Sequence, residues 1–285
     1  SFLCHSPRGS QMCRMSLMLG KNNLSERDIS RQLAHLKDMA QGKNHPYKYG
    51  DFTLSEIYDH EQQLIHGDGF GHYLHGNNDF SATHNRAVFS VNDSLILDNT
   101  PHNTKISMMH ARLVTKGSKE DHNIQPFDLE HIVGMHNGTV SGLESGTYSD
   151  SRGIMDILDN HYSNHSAENI DALEQTILEE IYEQSDHYSG MNVICYLKDE
   201  GKVVVISSYN QSEAMTKTAE EYYTLHIDSD GETIYISSEA VSGQGNTENH
   251  TVYVIDEETG EVTEHKLENL EEAVEEGREE LAEAA

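Results

Sequence analysis

Two groups of short apolar runs, separated by two helical patterns, constrain the fold of this chain most. The first group lies between residues 64 and 140 and the second between 191 and 266, and most runs end at Gly, Asn or Asp, as strands and hairpins do. Between the groups, apolar residues recur at helical spacing over 154–158 and 170–181. Strands, two helices and then strands again predict a layered α+β or sandwich architecture.

Several segments also carry local signals. Ser25 followed by Asp28 resembles a capping box and predicts the start of a helix. The apolar face of this helix is expected to consist of Ile29, Leu33, Leu36 and Met39. The predicted strands of the first half are CRMSLML from Cys13, LIHGDGFGHYLHG, RAVFSV, KISMMHARLVT and HIVGMHNGTV. The predicted hairpins of the second half are MNVICYL with KVVVISS, YYTLHI with ETIYIS, and HTVYVI with EVTEHKL.

The two ends of the chain differ from its middle. Residues 1–11 have no periodicity and precede a Met-Cys pair, so we interpret 1–12 as a leader, a propeptide or an extension. With 285 residues, we expect one principal domain at 13–250 and a C-terminal hairpin and acidic helix at 251–285. Leu267, Leu270 and Val274 of that helix either dock on the body or belong to a frayed, solvated tail, and both interpretations are open.

The charge balance is strongly acidic, with 49 Asp and Glu against 19 Lys and Arg and a formal net charge of −30. Such a surface repels nucleic acid and anionic membranes, so neither is an expected partner. Dispersed acidic charge suits the cytoplasm of a halophile; the other interpretation is an ordinary acidic soluble protein. No apolar run approaches the roughly 18 residues of a membrane span, and no signal-peptide pattern is visible. We therefore predict a cytoplasmic protein, from a halophile or a virus that infects one.

Folding is expected to depend on salt. At low ionic strength the net charge of −30 should destabilise the compact state by self-repulsion, and molar salt shortens the screening length to about 3 Å. The melting temperature should therefore rise between low and molar potassium chloride, as thermal melts would show. A melting temperature that stays flat or falls with salt would remove the halophile interpretation.

The cysteines and histidines do not predict a metal site. The three cysteines leave an odd thiol and no CxxC motif, which argues against a disulfide framework or a structural zinc site. They are Cys4, Cys13 and Cys195. Strand geometry places His66 and His72 on one face and His75 on the other, so we expect surface histidines there. Neither a metal nor a cofactor is predicted.

Four short segments contain the residue types that amide hydrolysis requires. They are MCR at 12–14, HARLVTKG at 110–117, HNG at 136–138 and SDS at 149–151. A cysteine thiolate is a strong nucleophile, and its own free α-amine, with a pKa of about 7.7–8.0, can take its proton. The Asn137 side chain and the Gly138 N–H can supply two oxyanion donors. Arg112 can hold an α-carboxylate with two parallel hydrogen bonds, and Asp150 can receive an ammonium group.

The ordered set closely resembles the class II, or Ntn-type, glutamine amidotransferases, and is most similar to their short stand-alone members. HARLVTKG matches the family's His-Thr/Ile-Arg-x-Ala-Thr-x-Gly segment, HNG is identical to its oxyanion-hole motif, and SDS matches the start of its Ser-Asp-Thr/Ser-Glu segment. ISSEAV at 236–241 resembles a late Ala-Ser-Glu/Asp segment. The resemblance covers about residues 12–241 and implies a four-layer αββα Ntn-hydrolase sandwich. It also implies hydrolysis of glutamine or another γ-glutamyl amide through a thioester, with release of ammonia.

Site residues follow from this resemblance position by position. Cys13 is expected to be the nucleophile with its own α-amine as base, and Asn137 and Gly138 are expected to form the oxyanion hole. The expected substrate contacts are Arg112, Thr115 and Asp150. Three positions depart from the family's pattern. These departures weaken the prediction of the substrate more than the prediction of the catalytic residues. They are Leu113, Gln125 and Arg152.

Three functions remain open at this stage. The first is an enzyme that delivers ammonia to a separate partner or acts as a simple amidase. The second is a structural or assembly component, for instance of a virus particle, in which residues 1–12 block Cys13. The third is a protein that only cleaves its own leader at Cys13. Taken alone, each of these residues also has a purely structural interpretation. Cys13 could be a small buried thiol, Arg112 could form a structural ion pair, and Asn137-Gly138 could be an ordinary turn.

Overall fold

Two six-stranded antiparallel sheets form the framework of the protein. The computed structural model of the chain describes residues 12–41, 48–49, 52–53, 69–76, 79–85, 88–97, 103–113, 121–210, 216–241 and 246–284. The strands are β1 (Met12–Gly20), β2 (Lys48–Tyr49), β3 (Phe52–Thr53), β4 (Gly69–Gly76), β5 (Asp79–Asn85), β6 (Ile106–Leu113), β7 (Phe127–Asp128), β8 (Ile132–Asn137), β9 (Val140–Ser141), β10 (His187–Tyr188), β11 (Asn192–Leu197), β12 (Lys202–Ser207), β13 (His226–Ser229), β14 (Thr233–Ser237), β15 (Thr251–Asp256) and β16 (Val262–Lys266). The helices are α1 (Glu26–Gln41), α2 (Asp93–Leu97), α3 (Asp150–Asn164), α4 (Ile170–Thr176), α5 (Thr216–Tyr223) and α6 (Glu268–Ala284).

The strand order brings distant parts of the sequence together. The first sheet runs β13-β14-β1-β6-β4-β5 and the second β16-β15-β12-β11-β8-β7. β1 therefore lies inside its sheet, between β14 and β6. Just after β14, Ser238 N donates to Met15 O at 3.0 Å, and Met15 N donates to the Ser238 hydroxyl at 3.0 Å. The start of β1 is thus held from both sides.

Three apolar clusters hold the elements together, and they confirm the predicted α+β class. One lies between the two sheets and includes Leu17 of the first and Ile194 of the second. A second packs the other face of the second sheet against α3, α4 and α6. A third packs the first sheet against α1 and α2. Alternate residues of a strand face opposite sides, so each sheet contributes to two clusters.

Helix α1 begins where the sequence predicts. The Ser25 hydroxyl accepts from Asp28 N at 3.1 Å, and Asp28 Oδ2 accepts from Ser25 N at 2.8 Å. These reciprocal bonds satisfy two backbone donors at the helix N-terminus, as in a capping box. The four apolar residues predicted for its inner face, Ile29, Leu33, Leu36 and Met39, are all buried.

The second half of the chain forms the three predicted hairpins, β11–β12, β13–β14 and β15–β16. β15 also pairs with β12 inside the second sheet. Leu267, Leu270 and Val274 are buried in the cluster that contains α3 and α4, so the C-terminal helix is docked along this face. No helix among the described residues is both long and apolar enough to cross a membrane.

Three local predictions are wrong. In RAVFSV, the residues Val88–Ser90 form a short 3₁₀ helix rather than a strand. Tyr222 and Tyr223 end helix α5 instead of opening a strand. His72 is not a surface histidine: it is buried, and its Nε2 lies 2.9 Å from the Ser107 hydroxyl, in a polar cluster that also contains Gln32. His66 lies outside the described residues.

Candidate active site

Strand register brings Cys13 and Arg112 together. They are directly opposite each other in the β1–β6 pair, so their side chains project on the same side of the sheet. Arg112 is also opposite Gly69 of β4. Cys13 and Arg112 are both buried, with exposed fractions of 0% and 1%. A buried guanidinium beside a buried thiol can hold an anionic substrate group next to a nucleophile.

Asn137 connects this pair to the second sheet. It ends β8, and its Oδ1 accepts a hydrogen bond from Cys13 N at 3.0 Å, across 124 residues of sequence. Because Cys13 N is the peptide nitrogen after Met12 in this chain, it can only donate, so the amide oxygen must face it and Nδ2 must point away. Nδ2 is buried and has no hydrogen-bond partner within the described part of the chain. An unsatisfied buried donor costs about 1–3 kcal/mol, which a ligand oxygen can recover.

Gly138 follows Asn137 in a conformation that only glycine adopts without strain. Its φ is 134°, and a Cβ at this position would lie 2.0 Å from Gly190 O. The backbones of residues 138 and 190 therefore approach each other more closely than a side chain would permit. The close approach keeps the Asn137-Gly138 turn in one position.

Asp150 lies at the first position of α3 and is buried. Its Oδ2 accepts from Val140 N at 2.8 Å, and its Oδ1 accepts from Ser151 N at 2.8 Å. Burial raises the pKa of Asp150 to about 7, although the two backbone donors and the Arg112 guanidinium act in the opposite direction. A carboxyl group with this pKa is ready to become an anion when a cation binds beside it.

Three buried residues, Arg14, Glu239 and Tyr222, form a connected group next to Cys13. Arg14 Nε lies 3.4 Å from Glu239 Oε2, and both side chains are buried. Arg14 also donates from Nη1 to Tyr222 O at 3.1 Å and lies 4.0 Å from the centre of the Tyr222 ring. The Tyr222 hydroxyl in turn donates to Cys13 O at 3.2 Å. Through these contacts, the end of α5 is attached to the backbone of Cys13.

Tyr223 packs against residues 189 and 190, next to the Asn137-Gly138 turn. Its hydroxyl lies 3.2 Å from the Ser189 hydroxyl, and its ring packs against Gly190, where a Cβ would be 3.1 Å from the ring. Burial raises the pKa of Tyr223 to about 12, and the negative charges of Cys13 and Asp150 contribute to that rise. Tyr223 therefore lies close to two of the predicted site residues, Cys13 and Asp150.

Five of the six predicted site residues fall in this one region, namely Cys13, Arg112, Asn137, Gly138 and Asp150. Thr115 lies outside the described residues, as do residues 1–11. Sequence reasoning missed Tyr222 and Tyr223, for which the sequence offers only an aromatic pair of the kind found in strands. It noted Arg14 and Glu239 only as parts of motifs, without their pairing.

Comparison with models of protein families and with curated proteins gave no match. Among solved structures, 17 chains match. One of them is described as the structure of the allosteric regulatory enzyme of purine biosynthesis, with 12% sequence identity and a TM-score of 0.57. The match covers 90% of this chain and 49% of that one, so the chain spans about half the length of the enzyme. The protein shares its fold with this enzyme of purine biosynthesis.

Proposed function

We propose that the protein is a class II glutamine amidotransferase or glutaminase that hydrolyses a γ-glutamyl amide and releases ammonia. The observation that carries the proposal is the 3.0 Å hydrogen bond from Cys13 N to Asn137 Oδ1, which turns a buried amide donor away from the nucleophile's nitrogen. The proposal includes a four-layer αββα Ntn arrangement, with the two sheets between the helices, and an amidotransferase-like domain over 13–250. A separate ammonia-accepting enzyme remains a proposed partner.

The chemistry needs a free amine on Cys13. The α-amine takes the thiol proton, and the thiolate attacks the amide carbon of the substrate. The negative charge that forms on the carbonyl oxygen is stabilised by Asn137 Nδ2 and Gly138 N–H. Collapse breaks the C–N bond; the α-ammonium gives its proton to the leaving nitrogen, and ammonia departs. Water then attacks the thioester with the same amine as base, which releases the acid and restores the thiol.

The substrate's amino-acid end is proposed to bind through opposite charges. Arg112 would hold the α-carboxylate, and Asp150 would receive the α-ammonium. The fold shared with an enzyme of purine biosynthesis supports an enzymatic role in general terms.

The direct test compares two forms of the chain. A form that begins at Cys13 should release ammonia from glutamine, and the form that begins at Ser1 should be inert until it is cleaved, because an acylated nitrogen cannot act as the base. Ammonia release by the uncleaved form would rule out the terminal-amine mechanism. A trimmed, folded form that is inert towards several γ-glutamyl amides would favour a structural or assembly role.

Glutamine binding should depend on the ionisation of Asp150. Because the carboxyl pKa is about 7 in the free protein, binding an ammonium group at lower pH must first release a proton. In the non-catalytic Cys13→Ala variant, the Kd for glutamine should be constant above this pKa and rise about tenfold per pH unit below it. Calorimetric titrations between pH 5.5 and 8.5 would measure this. The Asp150→Asn variant should bind glutamine weakly, with a Kd that does not change with pH. If the Kd does not change with pH while Asp150 is intact, the assignment of Asp150 to the ammonium group is contradicted.

A further inference from the structure

His136 has a defined place beside the proposed oxyanion site although the mechanism above does not use it. It is fully buried in β8, directly before Asn137. Its Nδ1 lies 2.7 Å from the Ser151 hydroxyl, its Nε2 lies 3.3 Å from Gly190 O, and its backbone N donates to Gln125 Oε1 at 2.7 Å. The imidazole thus bridges the start of α3 and the loop that carries Gly190.

The partners decide which nitrogen of the ring carries the proton. A backbone carbonyl only accepts, so Nε2 must be protonated to donate to Gly190 O, and Nδ1 must then accept from the Ser151 hydroxyl. Burial lowers the pKa of His136 to about 4, so the ring is neutral at physiological pH. A neutral ring with this tautomer satisfies both neighbours.

Gly190 transmits this orientation to the oxyanion site. Its carbonyl oxygen is the atom that a Cβ on Gly138 would meet at 2.0 Å, and its Cα lies next to the Tyr223 ring, which a Cβ on Gly190 would meet at 3.1 Å. A rotation of the 190 carbonyl would therefore change the space available to the 138 backbone. Since an oxyanion donor works through its direction, a small rotation has a large effect on the rate.

We infer that His136 is a positioning residue for amide hydrolysis, which donates from Nε2 to Gly190 O and thereby fixes the direction of the Gly138 N–H. The inference rests on the proposed function and deepens it. His136 acts through Gly190 and not on the substrate, and the Ser151 hydroxyl selects the tautomer that can donate.

Two substitutions of His136, made in the chain that begins at Cys13, test the two hydrogen bonds of the imidazole ring separately. In His136→Gln the amide nitrogen can replace Nε2 and keep the bond to Gly190 O, whereas in His136→Asn the amide oxygen can replace Nδ1 and keeps only the bond to Ser151. We expect His136→Asn to lower kcat by about ten- to a hundredfold with KM little changed, and His136→Gln to retain most of the rate. Ser151→Ala should lower kcat less, in the same direction, and serves if His136→Asn does not fold.

A second readout distinguishes positioning from general damage. Glutamate γ-semialdehyde can add to Cys13 as a hemithioacetal whose oxygen occupies the oxyanion site, whereas L-norvaline has the same α-carboxylate and α-ammonium groups but no oxygen at that position. Across the variants, affinity for the semialdehyde should fall in parallel with kcat while affinity for norvaline is constant. Equal kcat in all variants, or equal losses in His136→Gln and His136→Asn, would overturn the inference with the function intact. A wild-type chain that neither releases ammonia nor binds the semialdehyde would refute the proposed function, and the inference with it.

Discussion

Replacing Cys13 by Ala should abolish ammonia release from glutamine and all labelling by a glutamine-mimicking electrophile, while the fold persists. The side chain is fully buried, but the lost atom is small, so the melting temperature should change by only about 2–4 °C. The remaining contacts of the backbone, from Cys13 N to Asn137 and from Tyr222 to Cys13 O, do not need the thiol. Mass spectrometry of the labelled protein and an ammonia assay would measure both losses.

Cys195 provides the matched control. It is equally buried, but it lies in the cluster between the second sheet and its helices, and burial raises the pKa of its thiol to about 12. A thiol that does not ionise is a poor nucleophile, so Cys195→Ala should keep full activity and full labelling. Labelling that survives in Cys13→Ala and disappears in Cys195→Ala would refute the assignment of the nucleophile.

Gly138→Ala should cost both stability and activity. The φ of 134° strains any other residue, and the new Cβ would meet the backbone oxygen of Gly190 at 2.0 Å, which no rotamer change relieves. We expect a loss of roughly 3–5 kcal/mol in the free energy of unfolding, together with loss of ammonia release because the oxyanion donor moves. Denaturant unfolding of the folded fraction and initial rates would measure the two effects.

The Gly231→Ala variant separates the effect of a positive φ from the effect of a steric clash with the backbone. Gly231 also has a positive φ, 90°, but no heavy atom lies within 4 Å of its added Cβ in the described structure. Its substitution should therefore cost only about 1–2 kcal/mol and leave activity unchanged. If Gly138→Ala proved as stable and as active as Gly231→Ala, the close approach of residues 138 and 190 would have no role.

The features that were predictable from sequence depend on local chemistry. The capping box of Ser25 and Asp28 involves residues three positions apart, and the hairpins end in turns with their own residue preferences. The ordered motifs, each weak alone, pointed to five residues that the fold brings into one region. Local rules were sufficient in these places because the neighbours in sequence are also the neighbours in space.

The remaining features depend on tertiary contacts that no local pattern contains. Tyr222 and Tyr223 have side chains typical of strands, yet they end a helix because one contacts Arg14 and the other packs on Gly190. His72 sits inside a polar cluster with Ser107, and strand alternation alone does not reveal a buried polar partner.

The attachment of Met15 to Ser238 has a consequence for the order of events during synthesis. The two residues are 223 positions apart, so at ordinary translation rates the ribosome adds Ser238 roughly 10–45 s after Met15. Until then β1 lacks β14 as a neighbour, and Arg14 lacks Glu239. Cys13 therefore reaches its finished surroundings only after this late strand has been synthesised.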